Sequence, residues 1–122
     1  MLKDRPVFSG FSTDDILAAE ASYRDTLGLD VTEENGMLTL ALTGGHAVLI
    51  YPKDDHQPAT YTVLNFQVEG IDAVVDALAA AGVSFERYDG FPQDERGVMR
   101  GQGPDIAWFK DPAGNILSVL EG

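Results

Sequence analysis

The stretch Ile106-Ala107-Trp108-Phe109-Lys110-Asp111-Pro112-Ala113-Gly114-Asn115-Ile116-Leu117-Ser118-Val119-Leu120 holds two short apolar runs around a segment rich in turn formers. Pro presets one backbone angle, Gly and Asn accept left-handed backbone, and Asp bonds nearby amides, so 111–115 reverses the chain. Residues 106–110 and 116–120 therefore read as paired strands.

Upstream, 61–68 reads as a strand with Leu64, Phe66 and Val68 on one face. Ile71, Val74, Val75, Leu78 and Ala81 then recur at helical spacing until Gly82 stops the helix. A strand is expected over 83–88, and 89–105 is rich in Gly, Pro and charge, with room for a short strand inside it. The same order stands in the first half. A strand over 7–12 leads to Thr13, Asp14 and Asp15, which are helix caps, and then to Ile16, Ala19, Tyr23 and Leu27 at helical spacing before Gly28. Strands over 29–33, 37–42 and 47–51 follow, separated by Asn35-Gly36 and Gly44-Gly45. The segment 52–60 reads as a linker.

Phe11 and Ile16 precede Phe66 and Ile71 by 55 residues, and Gly28 precedes Gly82 by 54. Two copies at this period do not make a solenoid. The expected fold is α+β, with two βαβββ modules in one domain over 1–122: module one at about 5–52, a linker at about 53–60 and module two at about 61–122. The functional site is expected in a cleft between the halves.

The chain has 122 residues, no cysteine, and 20 acidic against 8 basic side chains, for a net charge of −12. Disulfides and thiolate chemistry are excluded. The negative field opposes binding to nucleic acid or anionic membranes and attracts cations. No apolar run has the length of a signal peptide core or a membrane span, so a cytoplasmic location is expected.

Asp15 followed by Tyr23, then Leu27-Gly28-Leu29, and Phe109-Lys110-Asp111-Pro112-Ala113-Gly114-Asn115 in the second half resemble the vicinal oxygen chelate superfamily. That group includes glyoxalase I, extradiol dioxygenases, methylmalonyl-CoA epimerase, fosfomycin-modifying enzymes and non-catalytic bleomycin-binding proteins. The resemblance implies a homodimer. It also implies four metal-ligand positions, one at the first strand and one at the last strand of each module, which fall here on Phe8, Leu49, Val63 and Ser118. These offer one neutral hydroxyl, whereas a divalent ion needs about three O, N or S ligands. No metal and no cofactor are therefore expected. Glu121 is the one carboxylate that a register slip would bring in, but its odd displacement from Ser118 places it on the other strand face.

The same alternation turns Gly10, Ser12, Ala47, Tyr51, Asn65, Gln67, Ile116 and Leu120 toward the cleft. The expected ligand contacts are Phe8, Leu49, Tyr51, Val63, Asn65, Gln67, Trp108 and Ser118, with Tyr88 as a further neighbour. Packing of a curved sheet explains the apolar members equally well. The inward amides of Asn65 and Gln67 need partners and so point more strongly to a ligand. His46 and His56 read as surface histidines, and no catalytic residue is legible. The segment 91–105 is long for a connection and reads as a lid, a subunit contact or a solvated loop.

The expected function is metal-independent binding of an apolar or aromatic small molecule, with cationic ligands favoured by the net charge. Two alternatives stand beside it. One is a metal-dependent lyase, isomerase or dioxygenase of the superfamily, and the other is an interaction or assembly protein whose cleft is filled by side chains.

Overall fold

In the computed structural model, which describes all 122 residues, the first helix begins where Asp15 Oδ1 accepts the Ala18 N–H at 3.0 Å. This is the capping role that the sequence assigns to it. The chain forms two units, Met1–His56 and Gln57–Gly122. The first contains β1 (Ser9–Thr13), α1 (Ile16–Ala21), a π-helical turn (Ser22–Thr26), β2 (Asp30–Glu34), β3 (Met37–Ala41) and β4 (Ala47–Pro52). The second contains β5 (Thr62–Val68), α2 (Ile71–Ala80), β6 (Ile106–Lys110) and β7 (Ile116–Glu121). The architecture is α+β with two βαβββ modules, as expected. No helix is long and apolar enough to cross a membrane.

In the first module the sheet order is β1-β4-β3-β2, with β1 parallel to β4 and the other pairs antiparallel. The parallel pair needs a crossover, which α1 supplies. Ala19 and Tyr23 bury against Leu38, Leu40, Val48 and Ile50, all almost fully enclosed. Asn35 and Gly36 both have positive φ, the geometry of a two-residue hairpin turn whose twist matches its strands. One regular helix was expected through Leu27. Instead Leu27 N–H reaches back five residues to Ser22 O, widening the last turn, and Tyr23 O accepts from Leu29. The widened turn leaves Tyr23 buried beside Phe11, with ring centres 6.2 Å apart.

In the second module β7 lies between β5, its parallel partner, and β6, its antiparallel one. Ile71 and Val75 of α2 are buried, as are Leu117, Val119, Ala107 and Phe109 of the sheet. Both oxygens of Glu121 accept N–H groups at the start of α2, from Gly70 at 3.0 Å and Ile71 at 2.9 Å. A carboxylate there satisfies two orphan donors and meets the positive end of the helix. The reversal at 111–115 is built on buried Asp111. Its Oδ1 accepts from Ala113 N at 3.0 Å and Asn115 N at 2.9 Å, and its Oδ2 accepts from Asn115 Nδ2 at 3.0 Å.

The strand expected over 83–88 is reduced to a single bridge between Phe85 and Phe109, with Glu86 N–H donating to Trp108 O. The Gln93 side chain accounts for this. Its amide accepts from Tyr88 N and donates to Glu86 O and Gly97 O, occupying backbone groups that a longer ladder would use. The segment 91–105 is fastened to α2 rather than left as a solvated loop. Arg96 pairs with Asp76, and Arg100 pairs with Asp72, Asp94 and Asp105.

Asp111→Ala strands buried donors of the turn and should lower unfolding free energy by roughly 2–4 kcal/mol. A urea midpoint equal to that of the parent chain would contradict this role. A second expectation concerns acid. Burial pushes Asp94 up, but the Val98 N–H, the Arg100 guanidinium and the Arg96 N–H outweigh it and hold the carboxyl below its ordinary value. Asp76 is held low by its hydrogen bond from Arg96. Carboxyls with depressed folded values stabilise the fold above their unfolded pKa of about 4, and that contribution is lost as pH falls through the folded value. Asp94→Asn should therefore reduce stability at pH 6 and flatten its decline below about pH 4. Parallel acid limbs for the two chains would show that Asp94 does not contribute.

Candidate functional site

Each sheet buries one face against its helix and leaves the other open, and the strand register fixes which residues share the open face. In module two, Asn65 and Trp108 both pair with Ser118, and Gln67 and Ile106 both pair with Leu120. Two cross-strand rows result, Asn65-Ser118-Trp108 and Gln67-Leu120-Ile106. Beyond them Thr62 and Lys110 flank Ile116. Val63 has no partner on β7, because the register shifts between Thr62 and Leu64. It is the extra residue of a bulge, so the simple alternation used to turn Val63 toward the cleft does not carry through it.

Ser118 is fully buried, and its hydroxyl donates to Asn65 Oδ1 at 2.5 Å. Asn65 Nδ2 and the Trp108 indole N–H donate to no group of the chain. No buried side-chain N or O lacks a partner, so the indole N–H is reached by solvent, and Asn65 is itself exposed. Gln67 is likewise exposed and unengaged at its amide. Trp108 belongs to a three-ring cluster. Its ring centre lies 5.6 Å from Tyr88 and 5.5 Å from Phe91, and Tyr88 and Phe91 are 5.5 Å apart. Phe91 remains 46% exposed. Burial, and then the Glu86 carboxylate, push the Tyr88 phenol above its ordinary value, so the ring stays uncharged. Lys110, the cation of this face, is 3.6 Å from Glu86.

In module one the open face carries Gly10 and Ser12 opposite Leu49 and Tyr51, with Thr39 next to Leu49. Leu49 is half-buried and Tyr51 37% exposed. Phe8 precedes β1 and is 62% exposed. Gly10 suits a close approach, since an added Cβ would lie 3.2 Å from Leu49 O and 4.0 Å from Tyr51 Cε1. His46 is exposed. His56 is not a free surface histidine: it is half-buried, with Nδ1 2.6 Å from Ser12 Oγ. No signal in the sequence links residues 44 positions apart in this way.

Of the residues expected to contact a ligand, Phe8, Leu49 and Tyr51 belong to module one and Val63, Asn65, Gln67, Trp108 and Ser118 to module two. Asn65, Ser118 and Trp108 come together in one row. Phe91 was missed, because it stands in a stretch without periodicity, and only its contact with two other rings reveals it.

Neither module gathers three His, Asp or Glu side chains as a metal site. The donor set at the positions that the resemblance marks, two aliphatic side chains, a phenyl ring and a hydroxyl bonded to Asn65, does not fit a divalent ion. Glu121 is committed to the N-terminus of α2.

The model of the Glyoxalase/Bleomycin resistance protein/Dioxygenase superfamily matches residues 7–119. Solved structures with similar folds include a glyoxalase family protein from Enterococcus faecalis, at 24% identity and TM-score 0.71, with 99% of this chain and 100% of that one covered. A lactoylglutathione lyase from Agrobacterium tumefaciens is similar at 20% identity and TM-score 0.70, covering 100% and 96%. The fosfomycin resistance protein FosX from Listeria monocytogenes is similar at 17% identity and TM-score 0.73, covering 100% and 95%. No curated protein matches the sequence. With the family model spanning nearly the whole chain, the protein belongs to the glyoxalase/bleomycin resistance protein/dioxygenase superfamily.

Proposed function

We propose that the protein binds a small aromatic or apolar molecule without a metal, on the open sheet face of module two. The observation that carries this reading is the row Asn65-Ser118-Trp108. Ser118, bonded to Asn65 and flanked by Trp108, stands where a metal enzyme of this family would need a ligand. Apolar and aromatic surface supplies the binding free energy, and a few polar groups orient the ligand. The module one face, with Tyr51 and Leu49 beside Gly10, offers a second apolar surface of the same kind. The net charge of −12 favours cationic over anionic ligands at long range.

A metal-dependent lyase, isomerase or dioxygenase needs a ligand set that these side chains do not supply. A pure assembly role gives no use to the exposed amides of Asn65 and Gln67. The family resemblance supports a homodimer, and the lack of cysteine accords with the cytoplasm.

Trp108 is the sole tryptophan, so its fluorescence reports this face directly. Planar aromatic compounds, neutral and cationic, and the glycopeptide bleomycin with its aromatic bithiazole tail are to be titrated in excess chelator. The expected result is saturable quenching that Phe91→Ala weakens by roughly three- to tenfold, the range of one aromatic contact. Binding that appears only after a divalent metal is added would overturn the metal-free reading. For a cationic compound, affinity should fall as salt rises, because the attraction is screened. Salt-independent binding of that compound would rule out a contribution from the acidic field.

A further inference from the structure

We infer that the module two face selects planar molecules bearing a hydrogen-bond acceptor, such as a ring carbonyl, and that Asn65 is the residue that reads it. This rests on the proposed binding role of the face and adds to it the chemical class of the ligand.

The planar amide of Asn65 has two ends, and the Ser118 hydroxyl occupies its oxygen. That bond fixes which end is presented: the Nδ2 donors remain open, while the oxygen is turned toward Ser118 with one of its two lone pairs taken. At the other end of the row the indole N–H of Trp108, a donor that cannot accept, is also unengaged. Between them Ser118 is fully buried with its hydrogen donated, so the middle of the row presents no further donor.

Adjacent strands are about 4.8 Å apart, which puts the Asn65 and Trp108 backbones roughly 10 Å apart across β7. A ring system of two fused rings fits this span. Ile106, Ile116 and Leu120 lie on the same face, and the Tyr88, Phe91 and Trp108 rings form an aromatic wall at the β6 side. One edge of the platform is therefore an amide that donates, and the other an aromatic wall with the single indole donor of Trp108.

The acceptor must be uncharged. Lys110 is the only cation that the register brings to this face, and Glu86 neutralises it. A carboxylate or phosphate would be desolvated there without a counter-ion, in a chain of net charge −12. A carbonyl needs only the donors already in place.

The test compares coumarin, a planar two-ring compound with a carbonyl, against naphthalene, which has the same ring size and no acceptor, and 2-naphthoate, which carries a carboxylate. Each is titrated into 15N-labelled protein while the Asn65 side-chain NH2 and Trp108 indole N–H resonances are followed. Coumarin should bind about tenfold more tightly than naphthalene, one hydrogen bond's worth, and naphthoate more weakly than either. Coumarin should also shift the Asn65 NH2 signals.

Asn65→Asp keeps the shape and the acceptor for Ser118 but removes the donors. It should bring the coumarin-to-naphthalene affinity ratio to within about twofold of one, whatever it does to the affinity for either compound alone. Equal binding of coumarin and naphthalene to the parent chain, or an unaltered preference in Asn65→Asp, overturns the selection of acceptors while leaving the face as a binding site. If no probe moves the Trp108 signal at millimolar concentration, the binding role falls and this inference with it.

Discussion

Each module has one sheet and one helix, and a helix can cover only one face of a sheet. That constraint governs the molecule. In module one Leu38, Leu40, Val48 and Ile50 go under α1, and in module two Leu117, Val119, Ala107 and Phe109 lie on the face toward α2. Because side chains alternate along a strand, burying these residues forces Leu49, Tyr51, Asn65, Ser118 and Trp108 onto the opposite faces. The candidate site is thus a by-product of core formation. Moving any of its residues by one position would exchange it with a core residue, at a cost of several kcal/mol.

Polar groups fix the details that apolar packing leaves open. Glu121 locks the end of β7 to the start of α2, and Asp111 organises the turn that sets the β6–β7 register. Gln93 and the two arginines hold 91–105 in place, so that Phe91 meets Trp108 and Tyr88. The exposed ion pairs individually contribute little, but several acting on one segment restrict where it goes. The segment that reads in the sequence as a lid, a subunit contact or a solvated loop carries Phe91 into contact with Tyr88 and Trp108.

Most of the fold was legible in the sequence, because it is written in short-range patterns. Gly28 and Gly82 end the helices, Asn35-Gly36 turns the hairpin, and β6 occupies the residues assigned to it. The differences arise where side chains distant in sequence take over backbone roles. Gln93 substitutes for a strand beside 86–88, and the turn at Ser22–Thr26 widens around Tyr23. The site was legible as far as alternation reaches: Asn65, Ser118 and Trp108 follow from counting twos along strands. The bulge at Val63, the Ser12–His56 contact and Phe91 obey no such count.

The absence of a metal ligand set is the claim from which the rest of the functional account follows, and it is tested most directly by calorimetric titration of Ni, Mn, Fe(II) and Zn into the purified, chelator-treated protein. The account predicts no stoichiometric heat and no retained ion after gel filtration. One tightly bound ion per chain, lost in a variant of any single side chain on either open face, would contradict it and make the protein a metal enzyme of its superfamily.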